Sequence, residues 1–280
     1  MQFKDNCLDL STPKVMGILN VTPDSFSDGG AFDVLENALT QAELMLSEGA
    51  DIIDIGGEST RPGAKDVSLQ QELDRVIPVI EAIKQRFDTV ISIDTSKAHV
   101  MTAAVKAGAG LINDVRALQE PSALAAAANA KVPVCLMHMQ GQPREMQHNP
   151  RYGDVVQDVM QFLQQRIERC LEAGIAQSQL IVDPGFGFGK SLEHNYQLLA
   201  NLEVFQQLNV PVLAGMSRKS MLGNLLNRDV EQRLAGNIAV ATVALQKRAQ
   251  IIRVHDVKET VDAVKVTQMI NAYRNNNNER

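Results

Sequence analysis

The stretch TVISIDTSKAHVMTAAVKAGAGLINDVR, residues 89–116, decides the fold. Two short β-branched runs, 89–95 and 110–116, flank a segment of helical period over 99–107, so the unit reads strand, helix, strand. Gly108-Ala109 stands just before the second run, where a helix breaks before its strand. Both runs are apolar over most of their length, as expected of parallel strands covered on two faces. Each run carries a polar residue toward its end, Asp94 in the first and Asn113 in the second.

The same unit recurs in both directions along the chain. Further strands are predicted at 14–20, 51–56, 132–138, 180–185, 210–218 and 250–256. Amphipathic helices are predicted over 35–46, 69–87, 121–130, 155–171, 192–208, 232–249 and 257–273. Eight such units within 280 residues suit a closed α/β TIM barrel, (β/α)₈, forming a single domain over 1–280. An open doubly wound sheet has fewer strands and a glycine fingerprint after the first, and neither GxGxxG nor GxxxxGK[ST] is present. GFGFGK (185–190) follows a strand but lacks the phosphate-loop spacing. The polar, low-complexity tail 275–280 is expected to be disordered.

The net charge of -6, with no run of Lys or Arg, argues against a nucleic-acid partner. An anionic small substrate remains compatible, because a few local cations and backbone N–H groups can hold one. Cys7, Cys135 and Cys170 are widely spaced and odd in number, which fits reduced thiols in a cytoplasmic protein. No apolar stretch reaches signal-peptide or membrane-spanning length, so no membrane partner is expected.

Polar residues gather where the predicted strands end. Asn20, Asp54, Asp94, Asn113, His138, Asp183, Ser217, Arg218, Lys219, Arg253 and His255 all fall in or at the end of the eight runs. In this fold that rim carries chemistry, and the opposite face carries stability. Each residue also has a plainer explanation. Asp94 could cap the helix that follows, Asp54 could bond a neighbouring loop, and Asn113 could satisfy loop backbone. Asp183, before Pro-Gly, could be turn chemistry, and His138 between Met137 and Met139 reads as structural. The conjunction favours a site, since such groups buried without partners would cost several kcal/mol. The loops 21–30 and 56–64 are long, polar and rich in Gly and Pro, which suits lids.

The segments MGILNVTPDSFSDGG (16–30), DIGGESTRPGA (54–64), ISIDTSK (91–97), INDVR (112–116), LMHMQG (136–141), DPGFGFGK (183–190), GMSRKS (215–220) and RVHDVKET (253–260) arrive one per strand. Together they resemble dihydropteroate synthase in its bacterial form. The resemblance implies a transferase of folate biosynthesis. It would join 6-hydroxymethyl-7,8-dihydropterin pyrophosphate to p-aminobenzoate with Mg²⁺, releasing pyrophosphate, and sulfonamides would compete for the p-aminobenzoate position. Asp94, Asn113, Asp183 and Lys219 match the family's pterin contacts, with Met137, Ile18, Val115 and Gly215 as walls. Asn20 would ligate Mg²⁺, and Thr60, Arg253 and His255 would flank the pyrophosphate. Asp24 and Asp28 could reach the metal when a lid closes. Phe188, Phe26 and Pro62 would hold the arene, the Ser217 region its carboxylate, and Arg61 would help build that end. Asp94, Asp183, Lys219, Arg253 and His255 would carry the catalysis, by departure of pyrophosphate before arylamine attack. Phe26, Thr60 and Pro62 keep the pattern expected of a sulfonamide-sensitive enzyme. A homodimer through the later helices, 234–245 included, is also implied. Two rivals share the barrel: a methyltetrahydrofolate:corrinoid methyltransferase and a non-catalytic folate-binding barrel. STRPGA, GMSRKS and the Arg253/His255 pair argue against the first, and the presence of every family position at the rim argues against the second.

Overall fold

Period-two alternation in eight short strands builds this molecule from the inside. A computed structural model of the chain describes residues 1–22, 31–59, 66–141 and 150–275. A small antiparallel hairpin, β1 (Gln2–Phe3) and β2 (Asn6–Cys7), precedes the barrel. The barrel strands are β3 (Lys14–Asn20), β4 (Ile52–Gly56), β5 (Val90–Asp94), β6 (Leu111–Asp114), β7 (Val134–Met137), β8 (Leu180–Asp183), β9 (Leu213–Ala214) and β10 (Ile251–Val254). They pair in parallel in the order β8-β7-β6-β5-β4-β3-β10-β9, and a bridge between Val182 and Val212 closes the ring. The helices outside are α1 (Ala31–Ser47), α2 (Leu69–Arg86), α3 (Ala98–Ala107), α4 (Ala123–Ala130), α5 (Val155–Glu172), α6 (Leu192–Ala200), α7 (Ser220–Leu226), α8 (Leu234–Gln246) and α9 (Val257–Asn275). The expected TIM barrel is therefore the observed one.

One apolar residue from each barrel strand forms the floor: Met16, Ile52, Val90, Leu111, Cys135, Ile181, Leu213 and Ile251. Phe3 of the hairpin packs into the same cluster and plugs the lower end. Side chains two residues on along a strand share a face. The next inward layer is thus Ile18, Asp54, Ser92, Asn113, Met137, Asp183, Gly215 and Arg253. Parity with the floor is what carries polar groups from several strands into one interior. The alternate residues, among them Val15, Leu19, Ile53, Ile55, Ile91, Ile93 and Ile112, join the layer packed under the helices.

Three expected bounds need correction. The predicted strand 210–218 is a strand only over Leu213–Ala214, with Val212 adding the single bridge to Val182, because Gly215–Lys219 leaves the sheet and Arg218 adopts a left-handed φ of 59°. The run 110–116 likewise ends its strand at Asp114, with Ala117 and Leu118 left-handed beyond it. The helix expected over 192–208 stops at Ala200 and resumes as a 3-10 stretch, Leu202–Leu208. The hairpin and α7 were not expected at all, being too short for a periodic signal. The tail expected to be disordered has Asn275 at the end of α9, and 276–280 lie outside the described residues.

Candidate active site

Arg253, on β10, is the hub. Its Nε donates to Oδ2 of Asp54 at 2.6 Å, and its Nη2 donates to Oδ2 of Asp94 at 2.8 Å. Asn113 donates from Nδ2 to the same Asp54 carboxylate at 3.2 Å. Four strands, β4, β5, β6 and β10, are thus tied across the barrel by side chains that the alternation turns inward. Asp94 does not cap α3, whose N-cap position is Lys97 and has no side-chain cap bond. Burial outweighs the attraction of Arg253 and pushes the Asp94 carboxyl up to about 7, with Asp54 adding repulsion.

Asp183 closes β8 on the same interior. Its Oδ1 accepts from the Gly185 N–H at 2.7 Å, so the Pro-Gly turn is present, yet Oδ2 points into the site. A Cβ built on Gly215 would stand 3.7 Å from Cβ of Arg253 and 3.9 Å from Oδ2 of Asp183. A Cβ on Gly56 would stand 3.7 Å from both Oδ1 of Asn20 and Cβ of Asp94. A methyl group at either glycine would be in ordinary van der Waals contact with these side chains, so Gly56 lies against Asn20 and Asp94, and Gly215 against Asp183 and Arg253. Burial raises the Asp183 carboxyl above its ordinary value, while Lys219 pulls the other way.

Lys219 comes from the irregular segment after β9. Its Nζ donates to the Phe186 carbonyl at 2.6 Å and lies 4.5 Å from the Phe188 ring centroid. Burial lowers its ammonium to about 8 against the opposing charge of Asp183. The segment is braced from behind. The Arg218 N–H donates to Oδ1 of Asn237 at 2.9 Å, Asn237 donates to Asp256 at 2.6 Å, and Arg233 donates to the Arg218 carbonyl at 2.8 Å. Ser217 Oγ stands 3.1 Å from Nδ1 of His255 and accepts from the His255 N–H at 3.2 Å. Ser217 and His255 therefore form one edge of the mouth.

The loop GFGFG (185–189) carries Phe186 outward into the main core and Phe188 inward, against Val115 and Met137. Phe188 is 9% exposed, more enclosed than an open platform. Gly185, Gly187 and Gly189 take φ values of 72°, 78° and 62°. A Cβ on Gly185 would meet the His138 carbonyl at 1.9 Å. His138 sits beside Lys190, Tyr152 and Phe162, and burial drives its imidazole down to about 2. It belongs to the scaffold.

Asn20, Asp94, Asn113, Asp183, Gly215, Lys219 and Arg253 are brought together. Met137, Val115 and Phe188 form the adjoining wall, and Ser217 with His255 form the rim. Phe26, Thr60, Arg61, Pro62, Asp24 and Asp28 lie outside the described residues. Asp54 was left undecided by the sequence, and the structure makes it the fully buried partner of Arg253. Its spacing of two from the floor residue Ile52 was the available signal. Among the described residues no group of three His, Cys, Asp or Glu side chains forms a metal cage. One carboxamide oxygen from Asn20, half-buried at the mouth, fits Mg²⁺ held mainly by substrate oxygens and water.

Residues 16–255 match the pterin binding enzyme family. The chain is 61% identical over 264 residues to the dihydropteroate synthase of Haemophilus influenzae, covering 94% of this chain and 96% of that one. It superposes on a Yersinia pestis dihydropteroate synthase in complex with a sulfonamide drug with a TM-score of 0.93 at 60% identity, over 97% and 99% of the two chains. A Xanthomonas albilineans dihydropteroate synthase with 4-aminobenzoic acid gives a TM-score of 0.90 at 53% identity, over 95% of each.

Proposed function

The chain belongs to the dihydropteroate synthase family of pterin-binding transferases, and we propose that it condenses 6-hydroxymethyl-7,8-dihydropterin pyrophosphate with p-aminobenzoate. The supporting observation is the convergence of Asp94, Asn113, Asp183 and Lys219 on one barrel interior, beside the Arg253 guanidinium that ties the strand ends together. A pterin edge offers ring N–H and amino donors beside carbonyl and ring-nitrogen acceptors. Two carboxylates, a carboxamide and an ammonium complement it, and a wrong heterocycle would leave them unpaired.

The diphosphate would then point outward past Asn20 toward His255 and Ser217. Arg253 spends two donors on Asp54 and Asp94, so it reaches the diphosphate only with its remaining N–H groups. Neutralising the departing diphosphate is the chemistry Mg²⁺ would supply, with Asn20 as its protein ligand. As the carbon–oxygen bond breaks, positive charge spreads over the pterin methylene and ring. Anionic Asp94 and Asp183 stabilise that charge. The arylamine, stacked near Phe188 with its carboxylate at Ser217, attacks the methylene carbon and then loses a proton to water. Lys219 orients the ring and forms no covalent bond.

Two companion proposals follow from the family. Sulfonamides compete at the arylamine position, as the complex of the Yersinia relative suggests. The chain forms a homodimer in the cytoplasm, and Leu225, Leu226, Leu234, Val266, Met269 and Tyr273 on α7, α8 and α9 supply exposed apolar surface for it. No described helix is long and apolar enough to cross a membrane.

Purified protein supplied with the pterin pyrophosphate, labelled p-aminobenzoate and Mg²⁺ should release dihydropteroate and pyrophosphate in equal amounts. Absence of both products would refute the proposal. Methyl transfer from methyltetrahydrofolate to a corrinoid protein would establish the rival barrel chemistry instead.

A further inference from the structure

Lys190 is the one lysine among the described residues that is buried, at 3% exposure, and nothing in the proposed reaction uses it. Its Nζ donates to the carbonyls of Gly185 at 2.8 Å and Phe188 at 3.0 Å, and lies 2.9 Å from Nδ1 of His138. Either charge state fits: an ammonium donates to all three, and a neutral amine, which burial favours, donates to the two carbonyls and accepts from a His138 Nδ1–H. The His138 carbonyl stands further off, at 3.4 Å. Burial, followed by the neighbouring amine, keeps the His138 ring neutral, and its tautomer decides whether Nδ1 accepts or donates.

What these bonds hold is the GFGFG loop. Its left-handed glycines free the backbone, while Phe186 anchors it in the core and Oδ1 of Asn195 accepts from the Gly187 N–H at 2.6 Å. Lys190 takes the 185 and 188 carbonyls, Lys219 takes the 186 carbonyl, and the Tyr152 hydroxyl donates to the 189 carbonyl at 2.7 Å. With the carbonyls turned toward these donors, the Phe188 ring faces Val115 and Met137 and lies beneath the Lys219 ammonium. Lys190 is the member of this set that holds both ends of the Gly185–Phe188 turn.

We infer that Lys190 is a positioning residue, whose amine fixes the loop so that Phe188 is presented as the surface on which the arylamine lies. The inference rests on the proposed role of Phe188. Lys190→Met keeps the length of the side chain and removes its donors. It should raise the KM for p-aminobenzoate roughly tenfold or more while changing the KM for the pterin pyrophosphate by no more than about twofold. In a Phe188→Leu background the same substitution should have almost no further effect on the p-aminobenzoate KM, because the group it positions is gone. An unchanged p-aminobenzoate KM in folded K190M, an equal rise in both KM values, or full additivity with F188L would overturn the inference. F188L alone leaving the p-aminobenzoate KM untouched would instead sink the platform reading beneath it. If K190M does not fold, Lys190→Gln, whose amide can still donate to a loop carbonyl, carries the same comparison with a smaller expected rise. Insolubility of both would assign Lys190 to the scaffold and overturn the inference.

Discussion

Asp183 separates the two jobs a strand-end carboxylate can do, since one oxygen braces the Pro-Gly turn and the other faces the site. Asp183→Asn can keep an oxygen toward the Gly185 N–H while losing an anionic acceptor for the pterin. The expected result is a thermal midpoint close to wild type and a loss of about 3 kcal/mol in kcat/KM for the pterin substrate, on the order of a hundredfold. A loss of fold with no selective kinetic effect would return Asp183 to turn chemistry. Asp94 makes a second prediction. Its carboxyl titrates near about 7 in the free protein, against an ordinary value of 3.8. Between those values the folded chain holds a proton that the unfolded chain has released, so this group's contribution to stability falls as pH rises through the window. A pterin that requires the carboxylate must expel that proton. Calorimetric titration with a pterin in buffers of different ionisation enthalpy should show proton release at about pH 6 and little at about pH 8. Equal proton uptake or release at both values would show that Asp94 does not change state on binding.

Among the elements, the GFGFG loop is the most tightly determined. A methyl group on Gly185 would need φ near 72° and would strike the His138 backbone, which has no flexible end to give way. Gly185→Ala should cost at least about 2 kcal/mol in denaturant unfolding, more than the same change at the exposed Gly174, where a Cβ meets nothing within 4 Å. Equal costs at the two positions would contradict this description of the loop. The elements also show what the sequence made legible. Long strands and helices announced themselves by period, and Asp94, Asn113, Asp183 and Arg253 announced themselves as polar residues in apolar runs. Asp54 had the same parity, which pointed it inward, but its partner Arg253 stands far along the chain and only the fold brings the two together. Lys190 stood in a glycine-rich loop whose closure no local period encodes. The two-residue strands β1 and β2 have too few alternations to be read, and β9 was read too long, over 210–218, because the apolar run continues into the irregular segment.

For the whole molecule, closure of the ring is what converts eight separate strand ends into a single mouth. The bridge between Val182 and Val212 brings β8, which carries Asp183, next to β9, after which Lys219 follows. The outer face carries a further prediction. Val266 and Met269 on α9 are 60% and 62% exposed, large apolar groups that a homodimer would cover. The double variant V266D/M269E should sediment as a monomer while the wild-type chain sediments as a dimer. A monomeric wild type, or a variant still dimeric, would place the interface elsewhere or remove it.

The most direct test is a crystal structure of the protein with a non-hydrolysable pterin diphosphate and Mg²⁺. The bicyclic ring should lie innermost, hydrogen-bonded to Asp94, Asn113, Asp183 and Lys219, with the diphosphate turned outward beside Asn20 and His255. A ring bound away from those four side chains, or a diphosphate seated deepest, would contradict the account.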